Sequence, residues 1–263
     1  MSTRPSTNRP LDLFIAGLPR AGTTMLANLL TAPPERLVLV EPGLTRGDPG
    51  AHLPMQFEEF PDCPSPEHML RRGDESSEAH FWRVWGPIIC GLRSWGVKEV
   101  NPLGYDDLLA KYQPRRVIVL VRDIRDAALS LAEKHTRSPI PGKGMDWATQ
   151  RLIDASHALL RVRSAVPSDR VRVVRYEDFV RDPAERAALE SWLDWPLAGR
   201  PDRHMESFGR AWEIERHAGQ VSDRSVDRRS REPSEDARRY ASEVVEQLAE
   251  FQRTFGYSAR HAA

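Results

Sequence analysis

The sequence predicts an α/β protein: a P-loop-like three-layer sandwich with a central parallel sheet of about five strands flanked by helices. Three observations predict it. Short apolar runs alternate with longer helical patterns along the chain, as in βαβ units. The run 116–121 (RVIVLV) is apolar after its first position, which suits a parallel strand buried on both faces. The first apolar run, 11–16, ends at a glycine and leads into a helix, the junction at which such sheets bind phosphates.

The elements follow in order. Residues 11–16 form a buried strand, and a helix over about 22–30 is stopped by Pro33-Pro34. A second strand, 37–40, closes at Glu41-Pro42-Gly43. The stretch 45–66, rich in Gly, Pro and acids, is expected to be loop. Residues 66–95 are expected to be mostly helical, with Phe81, Trp82, Trp85, Ile88 and Ile89 on one apolar side. A strand at 96–100, a helix at 105–112, the strand 116–121 and helices at 123–135 and 145–166 come next. A fifth strand at 171–175 precedes a helix at 183–192. Residues 198–233 are polar and Arg-rich without a clear period, and a last helix spans 234–254. No Gly/Ser/Pro-rich linker divides residues 1–263, so one domain is expected, with 1–10 a disordered N-terminus.

Composition removes several classes. Lys+Arg and Asp+Glu are both 38, so the formal net charge is zero, unlike a general nucleic-acid binder. The two cysteines, Cys63 and Cys90, support neither a disulfide framework nor a metal-ligand spacing. No stretch approaches the ~20 apolar residues of a membrane span, and 1–10 lacks the apolar core of a signal peptide. These features predict a cytoplasmic, soluble protein with no metal, no nucleic acid and no membrane partner.

The chemistry begins at Gly17-Leu18-Pro19-Arg20-Ala21-Gly22-Thr23-Thr24. Two glycines five apart permit a tight wrap, and backbone N–H groups at a helix start attract an anion. Thr23 and Thr24 add hydroxyls. A triphosphate-binding loop would carry lysine after the second glycine, but Thr23 stands there and the cation is Arg20, inside the loop. The strand 116–121 is followed by Arg122, where a magnesium-binding nucleotidase would usually carry an acid. Two basic residues at strand ends suggest an anionic ligand handled without metal.

Here the sequence resembles the sulfotransferases that use 3′-phosphoadenosine-5′-phosphosulfate (PAPS) and release 3′,5′-ADP (PAP). The octet 17–24 resembles their first signature, and the resemblance implies that Arg20, Ala21, Gly22, Thr23 and Thr24 hold the 5′-phosphosulfate. Residues 119–130 (VLVRDIRDAALS) resemble their second signature, which implies that Arg122 and Ser130 hold the 3′-phosphate, with Lys134 one helical turn further on the same face. Residues 174–179 (VRYEDF) resemble their Y-E-D segment, implying that Tyr176 lies near the adenosine. The resemblance covers roughly residues 11–180, in order.

Sulfuryl transfer to a hydroxyl or amine needs a general base and positioned cations. Arg20 is the first cation. Lys98, in Lys98-Glu99-Val100-Asn101-Pro102, is the second; this segment is similar to the K-x-H-x-P of the small-molecule cytosolic enzymes, but Val100 replaces their catalytic histidine. Glu41 is the expected replacement base, as in the tyrosylprotein and carbohydrate sulfotransferases. Parallel adjacent strands would place it on the same rim as Arg20. Glu99 and His52 are weaker alternatives. Arg216, Arg224, Arg228, Arg229 and Arg231 fall in the 198–233 segment; Arg224 and Ser225 are the choices for a loop closing over the cofactor. Phe81, Trp82 and Trp85 read as core before substrate cage, and 54–64 reads as a lid. The acceptor is expected to be a small hydroxylated secondary metabolite. The family often dimerises, so a homodimer is also implied. The competing readings are a P-loop small-molecule kinase using ATP, against which the missing lysine argues, and a non-catalytic nucleotide sensor.

Overall fold

A computed structural model describes residues 9–42, 53–54, 72–73, 75–137, 142–198, 205–207, 210–212, 221, 226 and 233–257. In chain order the elements are β1 (Leu13–Gly17), α1 (Thr23–Leu30), β2 (Arg36–Val40), β3 (Leu53–Pro54), α2 (Ser77–Gly91), β4 (Ser94–Glu99), α3 (Tyr105–Tyr112), β5 (Arg116–Val121) and α4 (Ile124–Arg137). They continue with α5 (Met145–Ala165), β6 (Val171–Arg175), α6 (Tyr176–Arg181), α7 (Pro183–Leu193), β7 (Met205–Ser207), β8 (Arg210–Trp212), α8 (Glu235–Gln247) and α9 (Ala249–Thr254).

Five parallel strands form the main sheet in the order β2-β4-β1-β5-β6. Every side chain of β1 and β2, and all but the first residue of β5, is buried, which is why these runs are continuously apolar. Helix α1 packs on β1, β2 and β4, and α5 packs on β1 and β5. The aromatic cluster lies in the core: Phe81, Trp82, Trp85 and Trp95 are all buried, with Trp82 edge-on to Trp95 at 5.8 Å. Phe81, Trp82 and Trp85 are therefore packing residues, as their spacing suggested.

The structure departs from the expected elements in four places. Trp95 belongs to β4, not to the preceding helix, which ends at Gly91. Within the expected loop 45–66, Leu53–Pro54 pairs antiparallel with Met205–Ser207 in a separate three-stranded sheet, β3-β7-β8. Strands of two and three residues are too short to leave a period in the sequence. Third, α6 follows β6 directly, with Glu177 and Asp178 in its first turn, where acids favour a helix N-terminus. Last, the C-terminal helix is interrupted at Leu248 between α8 and α9.

Candidate active site

Parallel strands bring their C-terminal ends to one rim, where α/β sheets bind ligands. From edge to edge this rim carries Glu41 after β2, Lys98 in β4, the loop after β1, Arg122 after β5 and Tyr176 after β6. Glu41 and Arg20 share the rim as expected, but β4 lies between their strands, so Lys98 comes between them in strand order.

The loop after β1 is a tight turn: Leu18 N–H donates to the Leu120 carbonyl at 3.1 Å and Ala21 N–H to the Leu18 carbonyl at 3.1 Å. Both of its glycines are required by contacts. A β-carbon on Gly17 would fall 1.9 Å from Thr23 Cγ2, and one on Gly22, at φ +79°, would fall 2.6 Å from Tyr176 Cε2. Thr23 is thus packed inward and only 5 % exposed, so Thr24, half-buried, is the more accessible hydroxyl. Gly22 is the N-cap of α1 and offers no side-chain cap, and no acid lies in the first turn. That leaves the helix N-terminus electrostatically suited to an anion. The buried Tyr105 hydroxyl accepts from Gly17 N–H at 3.2 Å and faces the Gly17 and Glu99 carbonyls at 3.1 and 3.0 Å, tying β1 to β4 below the loop.

The two phosphate signatures meet at Arg20. Its Nε donates to Ser130 Oγ at 3.1 Å, and its carbonyl accepts from Arg122 Nη1 at 3.0 Å. Arg122 also pairs with Asp126 at 3.5 Å, and its guanidinium lies 4.7 Å over the Tyr176 ring. Tyr176 is 3 % exposed: its ring is wedged between Gly22 and Arg122. Arg20 holds φ +70° and Glu41 φ +49°, left-handed conformations that cost a non-glycine residue about 1–2 kcal/mol and that concentrate at functional sites.

Glu41 and Lys98 are joined twice. Lys98 Nζ donates to Glu41 Oε1 at 2.5 Å, and Glu41 N–H donates to the Lys98 carbonyl at 2.8 Å. The Lys98 side chain is 2 % exposed and that of Glu41 27 %, so the carboxylate partners a buried ammonium that would be costly alone while keeping an open edge. Lys134 faces the same rim. Burial, then Arg20, hold its ammonium below the ordinary lysine range; Glu41 opposes this, and Arg151 and Lys98 add to the lowering. The charge there is a group of cations around one carboxylate. Glu99 alternates to the other side of β4 and is 4 % exposed. His52, Arg224, Ser225 and most of the expected lid and closing segment lie outside the described residues.

The first N–H groups of α4 are closed by the protein. Asp123 N–H donates to Glu177 Oε1 at 2.9 Å, Ile124 N–H to Gln252 Oε1 at 3.3 Å, and Arg125 N–H to Asp123 Oδ1 at 2.8 Å. Tyr257 OH donates to Glu177 Oε2 at 2.7 Å. Burial raises the Glu177 pKa, while the Tyr257 hydroxyl, the Asp123 N–H and Arg122 oppose the rise.

Sequence reasoning gave no role to Asp126, Tyr105, Glu177 or Arg151. Two of these had a local signal: Asp126 the i,i+4 spacing from Arg122, and Glu177 its place in the VRYEDF segment. Among the described residues no group of three or more His, Cys, Asp or Glu is arranged to hold a metal, and no helix is long and apolar enough to cross a membrane.

The rim thus carries an uncapped helix N-terminus after the central strand and cations at the neighbouring strand ends, an arrangement suited to a phosphate-like anion. Residues 10–198 match the sequence model described as "Sulfotransferase family". The chain belongs to that family, and sulfuryl transfer is its class of reaction. Similar solved structures share the fold. The sulfotransferase domain from the curacin biosynthetic pathway is 16 % identical with a TM-score of 0.60, covering 92 % of this chain and 98 % of that one. A mouse sulfotransferase complexed with PAP is 15 % identical with a TM-score of 0.53, covering 97 % and 90 %. A Mycobacterium avium sulfotransferase is 17 % identical with a TM-score of 0.52, covering 95 % and 77 %. No curated protein matches the chain by sequence.

Proposed function

We propose that the protein moves the sulfuryl group of PAPS to a hydroxyl, or less readily an amine, of a small-molecule acceptor, with Glu41 as general base. The observation that carries this reading is the Glu41–Lys98 pair at 2.5 Å, beside the cations Arg20 and Lys134. The donor set fits a phosphosulfate: an α1 N-terminus without a side-chain cap, a loop cation, and two lysines. Bound PAPS supplies an electrophilic sulfuryl group and a phosphate leaving group.

The residues divide the remaining work. The loop from Gly17 to Thr24 and Arg20 bind and orient the 5′ end. Arg122 and Ser130 take the 3′-phosphate, with Tyr176 setting the Arg122 guanidinium. Glu41 Oε accepts the proton of the acceptor hydroxyl. Lys98 holds the Glu41 carboxylate in place and faces the negative charge that gathers on the transferring oxygens. The acceptor is a small hydroxylated secondary metabolite.

Thermal unfolding with PAP against ATP plus magnesium tests the reading, together with transfer of label from ³⁵S-PAPS to a hydroxylated acceptor panel. Stabilisation by PAP and label transfer are expected. Stabilisation by ATP–magnesium alone would make the protein a phosphotransferase instead.

A further inference from the structure

The segment 233–257 lies beyond the residues matched to the family, yet it reaches the second phosphate signature. Gln252 and Tyr257 follow within and just after α9. Gln252 Oε1 takes the Ile124 N–H at 3.3 Å. Tyr257, 6 % exposed, donates to Glu177 Oε2 at 2.7 Å, and Glu177 Oε1 takes the Asp123 N–H at 2.9 Å. The guanidinium of Arg175 lies 4.4 Å over the Tyr257 ring. Two consecutive N–H groups immediately after Arg122 are therefore held by acceptors that the C-terminal segment supplies or orients.

This arrangement decides how an anion can be held here. At α1 the helix N-terminus has no side-chain cap. At α4 the corresponding N–H groups are already spent on Glu177, Gln252 and Asp123. A phosphate at this end of the rim must then be held by side chains, so its affinity depends on where the chain puts Arg122. Arg122 is bounded on one side by Tyr176 and followed directly by the anchored Asp123. A shift of about 1 Å in such a group is enough to lose much of its effect.

We propose that Gln252 and Tyr257 are positioning residues for the nucleotide 3′-phosphate, acting through the 122–124 turn from which Arg122 projects. This inference rests on the PAPS reading. It assigns the C-terminal segment a role in nucleotide selectivity, over and above the packing of α8 on α4 and of α9 on α5.

The test compares two nucleotides on the full chain by titration calorimetry: PAP, and adenosine 5′-monophosphate, which lacks the 3′-phosphate. Wild type is expected to prefer PAP. Tyr257→Phe keeps the ring against Arg175 and removes only the hydroxyl; Gln252→Met keeps the length of the side chain. Each is expected to reduce the PAP preference about tenfold, the effect of losing one well-placed hydrogen bond, while leaving the monophosphate affinity nearly unchanged. Retention of the full preference in both variants, or equal weakening of both nucleotides, overturns the proposal, since a merely structural role predicts the latter. If Tyr257→Phe does not fold, Gln252→Met decides alone. Wild type without any PAP preference would instead remove the PAPS reading on which the inference stands.

Discussion

Gly22→Ala is the sharpest test of how the phosphate loop is built. Gly22 has φ +79°, and a β-carbon there would stand 2.6 and 2.7 Å from Tyr176 Cε2 and Cδ2, roughly 1 Å inside normal carbon contact. The left-handed backbone costs alanine about 1–2 kcal/mol, and overpacking a well-filled site costs about 1–3 kcal/mol. The ring cannot retreat freely, because the Arg122 guanidinium lies 4.7 Å from its centre. Together these give a loss of about 2–5 kcal/mol, or a fall in Tm of about 4–9 °C for a chain of this size. Displacing the ring also moves Arg122, so PAP affinity is expected to fall further than stability alone requires. Differential scanning calorimetry and PAP titration on the same preparation measure both. Gly91→Ala, with nothing within 4 Å of the added carbon, is the control and is expected to be neutral. A Gly22→Ala protein with wild-type Tm and PAP affinity would refute the packing argument.

Four further outcomes follow from the geometry. Glu41→Gln is expected to lower kcat by about 10²–10⁴-fold, the usual contribution of a general base, with PAP affinity kept; undiminished turnover would remove Glu41 from that role. Gly17→Ala is expected to destabilise strongly, because its β-carbon would lie 1.9 Å from Thr23 Cγ2, and adding Thr23→Ser should restore part of the loss; purely additive effects in denaturant titrations would contradict the contact. Lys134 has a lowered pKa, so the free protein sheds this proton below the ordinary value of 10.5, and an arriving anion favours its return. PAP binding should therefore take up protons at alkaline pH and weaken as pH rises, as calorimetry in buffers of different ionisation enthalpy will show, and Lys134→Arg should abolish the uptake. Glu75 is held at about 2 by its hydrogen bond to Arg83, below its ordinary 4.5. The stability it adds is present in full above pH 4.5 and lost as pH falls towards 2, so Glu75→Gln should flatten that part of the pH–stability curve.

The local chemistry was legible before the structure. Gly17 and Gly22 mark the loop because two glycines five apart between a strand and a helix form a local pattern, and β5 is apolar because it is buried on both faces. The family follows from two such signatures in order. Segments without a local period were not legible: β3, β7 and β8 exist only through mutual pairing, and the break at Leu248 leaves the apolar pattern of the last helices uninterrupted. The expectation that Glu41 and Arg20 sit on adjacent strands failed for the same reason, since β4 lies between β2 and β1. Strand order is decided by long-range pairing.

By itself, then, the sequence determined the glycine turn after β1, the placement of Arg20 and Arg122 at strand ends, and the α/β class, since each depends on residues within one helical turn or one strand of each other. Only the tertiary structure decided that β4 enters between β2 and β1, bringing Lys98 against Glu41. It alone carried Lys134 and Arg151 into one field with Arg20. It also set Tyr257, 80 residues from Glu177, under the second phosphate signature. Contacts between residues so far apart are selected by packing of the whole core, and no short stretch of sequence carries that information.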